Sequence, residues 1–111
     1  IKENDLYAFF HSDGNIWNLL EQIVDAGFDC LHCVDAQAGM DTYELRKVYG
    51  DSITIMGHID LFAWNEDKIK REIEQAEEEF ISGGFILGSS CGLSPLIPLN
   101  KIRTLYRGWN P

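Results

Sequence analysis

His11 and Asp13 stand two residues apart at the end of an apolar run, a spacing that sends both side chains of an extended chain to the same side. An imidazole and a carboxylate so placed suit a divalent metal or a proton-transfer pair. Zinc in catalytic sites takes three protein ligands and keeps one position open. Cys91, in Ser89-Ser90-Cys91-Gly92, is the third candidate ligand. The alternative is structural, with His11 bonding locally, Asp13 shaping the turn before Gly14, and Cys91 filling a small buried space.

The His-x-Asp spacing recurs at His58 and Asp60, which suits either substrate contact or a polar loop held by the bond between them. Cys30 and Cys33 form a CxxC around His32, but one such pair without a second is a weak zinc signal. Residues three apart in a strand also leave on opposite faces. Cys30 is therefore expected to be buried, and Cys33 and Asp35, nearer the strand end, to touch a substrate. Ser89 and Ser90 can donate to a carboxylate or oxyanion, yet no histidine-supported serine nucleophile is recognisable.

These clusters need elements to position them. Leu6–Phe10, Cys30–Val34, Ile53–Met56 and Phe85–Leu87 read as short strands, each followed by one of the clusters. Between them lie helical patterns. Ile16, Leu19, Leu20, Ile23 and Val24 recur at helical spacing within Asn15–Ala26, with Asn15 as cap and Gly27 as stop. Asp41 and Glu44 have capping-box-like spacing for a short helix ending at Gly50, with Tyr43, Leu45 and Val48 inward. Asn65 caps the longest helix, whose apolar stripe is Ile69, Ile73, Ala76 and Phe80. Its many acidic residues from Glu66 to Glu79 read as a solvated face. Asn100–Arg107 is the last helix, with Ile102, Leu105 and Tyr106 inward.

Strands alternating with helices imply crossover connections and parallel pairing. The fold class is α/β, either an open doubly wound sheet or part of a (βα)8 barrel whose reactive residues lie at the carboxyl ends of the strands. His-Ser-Asp-Gly-Asn after the first strand is not a glycine-rich phosphate fingerprint, which favours the barrel. Four strands leave two open edges, so either further chain or a homodimer is expected to complete it. The 111 residues read as a single domain, a half-barrel fragment of a longer chain.

A formal charge of −9 repels phosphate backbones and anionic membrane surfaces, so neither nucleic acid nor a membrane is an expected partner. No stretch approaches the roughly 20 apolar residues of a membrane span. Three cysteines are an odd number for a disulfide scaffold, which points to a reducing cytoplasm. Trp17, Phe28, Trp64 and Trp109 show no interleaving with basic residues and are read as core or interface residues.

Taken in order, Phe10-His11-Ser12-Asp13-Gly14-Asn15, Ala26-Gly27-Phe28-Asp29, Ala38-Gly39-Met40-Asp41, Tyr49-Gly50-Asp51, Met56-Gly57-His58-Ile59-Asp60 and the run from Gly84 to Ile102 resemble the C-terminal half of the uroporphyrinogen decarboxylase superfamily. That superfamily includes the cobalamin-dependent zinc methyltransferases acting on coenzyme M. The resemblance implies a parallel (βα)4 segment of a (βα)8 TIM barrel.

In the zinc methyltransferases the first cluster is His-x-Cys and the last strand end is Cys-Gly. Here His11 and Cys91-Gly92 match, and Asp13 stands where the first cysteine would be. By resemblance His11, Asp13 and Cys91 are the metal ligands, while position at the strand ends places His58, Asp60 and Asp35 to contact or support substrate. The implied activity is transfer of a methyl group from a methyl-corrinoid, held by a separate protein, to a thiol activated by zinc. The rival expectations are a decarboxylase acting on a tetrapyrrole and a catalytically incomplete half-barrel that serves in assembly.

Overall fold

The computed structural model describes residues 1–108; Trp109, expected in a core or interface, lies outside them. Four strands, β1 (Phe9–Ser12), β2 (Cys30–Cys33), β3 (Thr54–Ile59) and β4 (Phe85–Ser89), form one sheet in the order β1-β2-β3-β4. All three pairings are parallel. The helices α1 (Leu20–Asp25), α2 (Thr42–Tyr49), α3 (Glu66–Glu79) and α4 (Leu99–Gly108) follow the strands one by one. The result is the expected (βα)4 segment.

The parallel register sorts the side chains into two faces. Phe10, Leu31, Ile55 and Phe85 form one rank across the sheet and pack into the layer beneath the helices. There they meet Leu20 and Ile23 of α1, Leu45 of α2, and Ala76 and Phe80 on and after α3. A second cluster joins Ile59 and Leu61 to Ile69 and Ile73 of α3 and Leu105 of α4. Each fully buried leucine or isoleucine stabilises the fold by about 1.5–3 kcal/mol. The next rank, His11, His32, Met56 and Ile86, lies on the opposite face, where His11 and Ile86 are exposed.

Three strands reach further toward the polar clusters than their apolar runs suggest. β1 begins at Phe9 rather than Leu6, because the Asp29 carboxylate accepts from Ala8 N (2.7 Å), and Leu6 and Tyr7 before it are exposed. It then continues through His11 and Ser12, while β3 continues through His58 and Ile59 and β4 through Ser89. The candidate residues are thus largely part of the sheet.

Two helices keep their expected caps. Asp41 Oδ1 accepts from Tyr43 N and Glu44 N, and Asn65 Oδ1 accepts from Lys68 N, each at 2.9 Å. The first helix is shorter than its pattern, since Asn15 Oδ1 takes Trp17 N and a 3-10 turn, Trp17–Leu19, precedes α1. Val48 and Tyr106, expected inward, are 63% and 61% exposed. On α2 the inward positions are Thr42 and Leu45, and on α4 the core is reached by Ile102 and Leu105.

Candidate metal centre at the carboxyl ends of the strands

The ends of β1 and β2 bring three chemically different donors together. A nitrogen of His11, a carboxylate oxygen of Asp13 and the sulfur of Cys33 all lie within 4.8 Å of one another. His11 Nε2 is 3.5 Å from Asp13 Oδ2, and Cys33 Sγ donates to Asp13 Oδ1 at 3.1 Å. The parallel register makes this possible, because Ser12 pairs with Cys33 and Asp13 follows directly.

The electrostatics of the group follow from its uneven exposure. Cys33 is fully buried, and burial, reinforced by the Asp13 carboxylate, pushes its thiol up to about 12. The thiol is therefore protonated at neutral pH and gives its hydrogen to Asp13. That bond from Cys33 is in turn the main reason the exposed Asp13 carboxyl lies below its usual range. His11 is exposed on the open face, where its Nδ1 lies 2.8 Å from Nδ1 of His32. Burial and the neighbouring His11 hold the His32 ring below its usual value.

This donor set fits zinc. Ligand bonds of about 2.0–2.3 Å place tetrahedral donors about 3.3–3.8 Å apart, and the nitrogen–oxygen and oxygen–sulfur separations of 3.5 and 3.1 Å need only small adjustment. The thiol must lose its proton to become a ligand.

The other sequence candidates have different surroundings. Cys91, half-buried after β4, is not a member of the group; burial raises its thiol, with the charges of Asp60, Asp35 and Asp13 adding to the effect. Asp35 Oδ1 accepts from Gln37 N at 2.9 Å and so caps the 3-10 turn Ala36–Ala38. Asp60 is buried, its Oδ1 accepting from Phe62 N and Ala63 N and its Oδ2 from Gln37 Nε2 at 2.6 Å. It ties the loop after β3 to the loop after β2. His58 is buried in the helix-facing layer, where Nε2 meets Glu72 Oε2 at 3.3 Å among the rings of Tyr43, Trp64 and Phe85. Cys30 is buried, as expected, and stays apart from the group.

Two contributors, His32 and Glu72, are not among the sequence candidates, and Cys33, which the sequence places beside a substrate, lies with His11 and Asp13 instead. The signal for His32 is its register opposite His11. For Glu72 the signal is its position three residues after Ile69 and one before Ile73, on the border of the apolar stripe of α3.

A family model described as uroporphyrinogen decarboxylase (URO-D) matches residues 1–108. The chain belongs to the uroporphyrinogen decarboxylase family. Within reach of that family, it is 34% identical over 99 residues to the methylcobamide:CoM methyltransferase MtaA of Methanosarcina barkeri, a match covering 86% of this chain and 28% of that protein. The protein of the same name from the Fusaro / DSM 804 strain is 31% identical over 99 residues, again covering 86% and 28%. A methyltransferase from Methanosarcina mazei superposes with a TM-score of 0.73 at 24% identity, over 92% of this chain and 30% of that one. That likeness supports the fold. The chain therefore spans less than a third of the length of these relatives. Among the described residues no helix is long and apolar enough to cross a membrane.

Proposed function

We propose that this chain is the (βα)4 part of a zinc-dependent methyltransferase that moves a methyl group from a methyl-corrinoid, carried on a separate protein, to a small thiol. The observation that carries the reading is the convergence of His11, Asp13 and Cys33 at one edge of the sheet. The relatives named for methyl transfer to CoM point the same way.

His11 Nε2, the Asp13 carboxylate and Cys33 Sγ would hold the ion, leaving one position of a tetrahedral site open to substrate. When bound there, zinc supplies Lewis acidity and lowers the pKa of a thiol. The resemblance assigns Cys91 in place of Cys33, whereas the donors that lie together are those of His11, Asp13 and Cys33. Asp35 stands at the same strand ends and is assigned to the substrate side, while the buried Asp60 holds the loops after β2 and β3 together around it. His58 packs against Trp64 in the loop after β3 and meets Glu72 on the helix side of the sheet.

The same reading places a protein with three free thiols in the reducing cytoplasm. It also leaves β1 and β4 as open edges for further strands, from more of the same protein or from a second copy.

A decarboxylase acting on a tetrapyrrole is the second reading, favoured by the family's own description. The two separate in one experiment. The intact protein is given methylcobalamin with coenzyme M and other small thiols, and in parallel uroporphyrinogen. Zinc-dependent demethylation of the corrinoid with formation of a methyl thioether is expected. Loss of carboxylates from uroporphyrinogen without methyl transfer would replace this function with the second.

A further inference from the structure

His32 carries no role in any reading given so far, yet it makes the shortest contact to the metal group from outside it. Its Nδ1 lies 2.8 Å from Nδ1 of His11, with the rings tilted by 33° and their centroids 4.9 Å apart. Between two nitrogens at that distance one must donate and the other accept. The other nitrogen of His11, Nε2, faces Asp13 and so stands on the metal side.

We propose that His32 is the positioning residue of the metal centre: its Nδ1 accepts the Nδ1 hydrogen of His11, fixing the ring orientation and tautomer that present the Nε2 lone pair to the ion. The inference rests on the metal-centre reading above and deepens it. Occupation of Nε2 by a metal leaves the neutral ring only Nδ1 for its proton, and that hydrogen then needs an acceptor. The ring of His11 is exposed, and the polar contacts it makes are those to His32 and Asp13. The half-buried His32, held in the next strand with His11 as its register partner, supplies the restraint and the acceptor together. Partners of this kind to metal-bound histidines are worth about 10–100-fold in metal affinity.

The test uses the intact protein and zinc alone. Zinc affinity is measured by competition with a chelator for the unmodified protein, His11→Ala, His32→Phe and His32→Asn, and the proton on His11 is located by nitrogen-15 spectra of the zinc-loaded protein. His32→Phe, which keeps ring volume but cannot accept, is expected to weaken zinc about 10–100-fold. His32→Asn, whose Oδ1 can take the place of Nδ1, is expected to recover most of the loss. In the unmodified protein the proton is expected on Nδ1 of His11. Zinc affinity lost in His11→Ala but unchanged in His32→Phe, or a proton away from Nδ1, overturns the role of His32 and leaves the metal centre standing. A protein that binds no zinc at all overturns both.

Discussion

Cys33 Sγ lies 3.1 Å from Asp13 Oδ1, across the gap between two neighbouring strand ends and 20 residues apart in sequence. The contact makes the carboxylate the acceptor for a thiol that burial keeps protonated, and it sets both groups where one ion can replace the shared hydrogen. Asp13→Ala removes one donor of three. It is expected to weaken zinc by more than the about 10–100-fold typical of a supporting residue, measured by chelator competition with the fold checked by circular dichroism.

Glu72 accepts from both His58 and Tyr43 beneath the loops, so Glu72→Ala leaves one buried and one half-buried donor without an acceptor. A loss of about 1–3 kcal/mol is expected in urea unfolding. The hydrogen bond from His58 is the main reason the Glu72 carboxyl lies below 4.5. A depressed carboxyl contributes stability that is fully present above its unfolded value and is lost as pH falls through its folded value. Acid unfolding below pH 4.5 is therefore expected to be less steep in Glu72→Gln than in the unmodified protein, and parallel curves would remove Glu72 from that role.

Asp60 joins two loops through three accepted hydrogen bonds, one of them from Gln37. Asp60→Ala is expected to cost about 2–3 kcal/mol, because three donors lose a charged partner in a buried place. Gln37→Ala, which removes only the bond between the loops, is expected to cost less. Thermal melts of the two variants give the comparison, and equal losses would place the effect elsewhere in the loop.

Gly57 holds the two central strands close together. A Cβ there would lie 2.2 Å from the Cys33 carbonyl oxygen, and the backbone φ of +143° already disfavours a side chain. Gly57→Ala is expected to push the end of β2 aside, costing about 1–3 kcal/mol and weakening zinc through Cys33 without touching a ligand. Melting and zinc titration of the same preparation check both effects.

The strand–helix alternation was legible because each apolar run is short and each helix has its own period and cap, as at Asp41 and Asn65. Strand ends were less so. Hydrophobicity stops at Phe10 and Met56, whereas the ladder runs on through His11 and His58, since main-chain pairing does not depend on apolar side chains.

For the site, His11 and Asp13 could be paired from their spacing, but Cys33 reaches them from another strand. Its approach depends on the register between β1 and β2, which no local pattern encodes. Val48 failed for a different reason. Helical spacing gives the period of an apolar face but not how wide a face the neighbouring elements cover, and α2 covers only Thr42 and Leu45 fully.

The most direct test of the central claim is zinc-edge X-ray absorption on the loaded intact protein, compared with Cys33→Ser and Cys91→Ser. A sulfur at about 2.3 Å with nitrogen and oxygen at about 2.0–2.2 Å is expected, and the sulfur should vanish in Cys33→Ser and persist in Cys91→Ser. A sulfur signal kept in Cys33→Ser and lost in Cys91→Ser would contradict the assignment of Cys33 as the thiolate of the site.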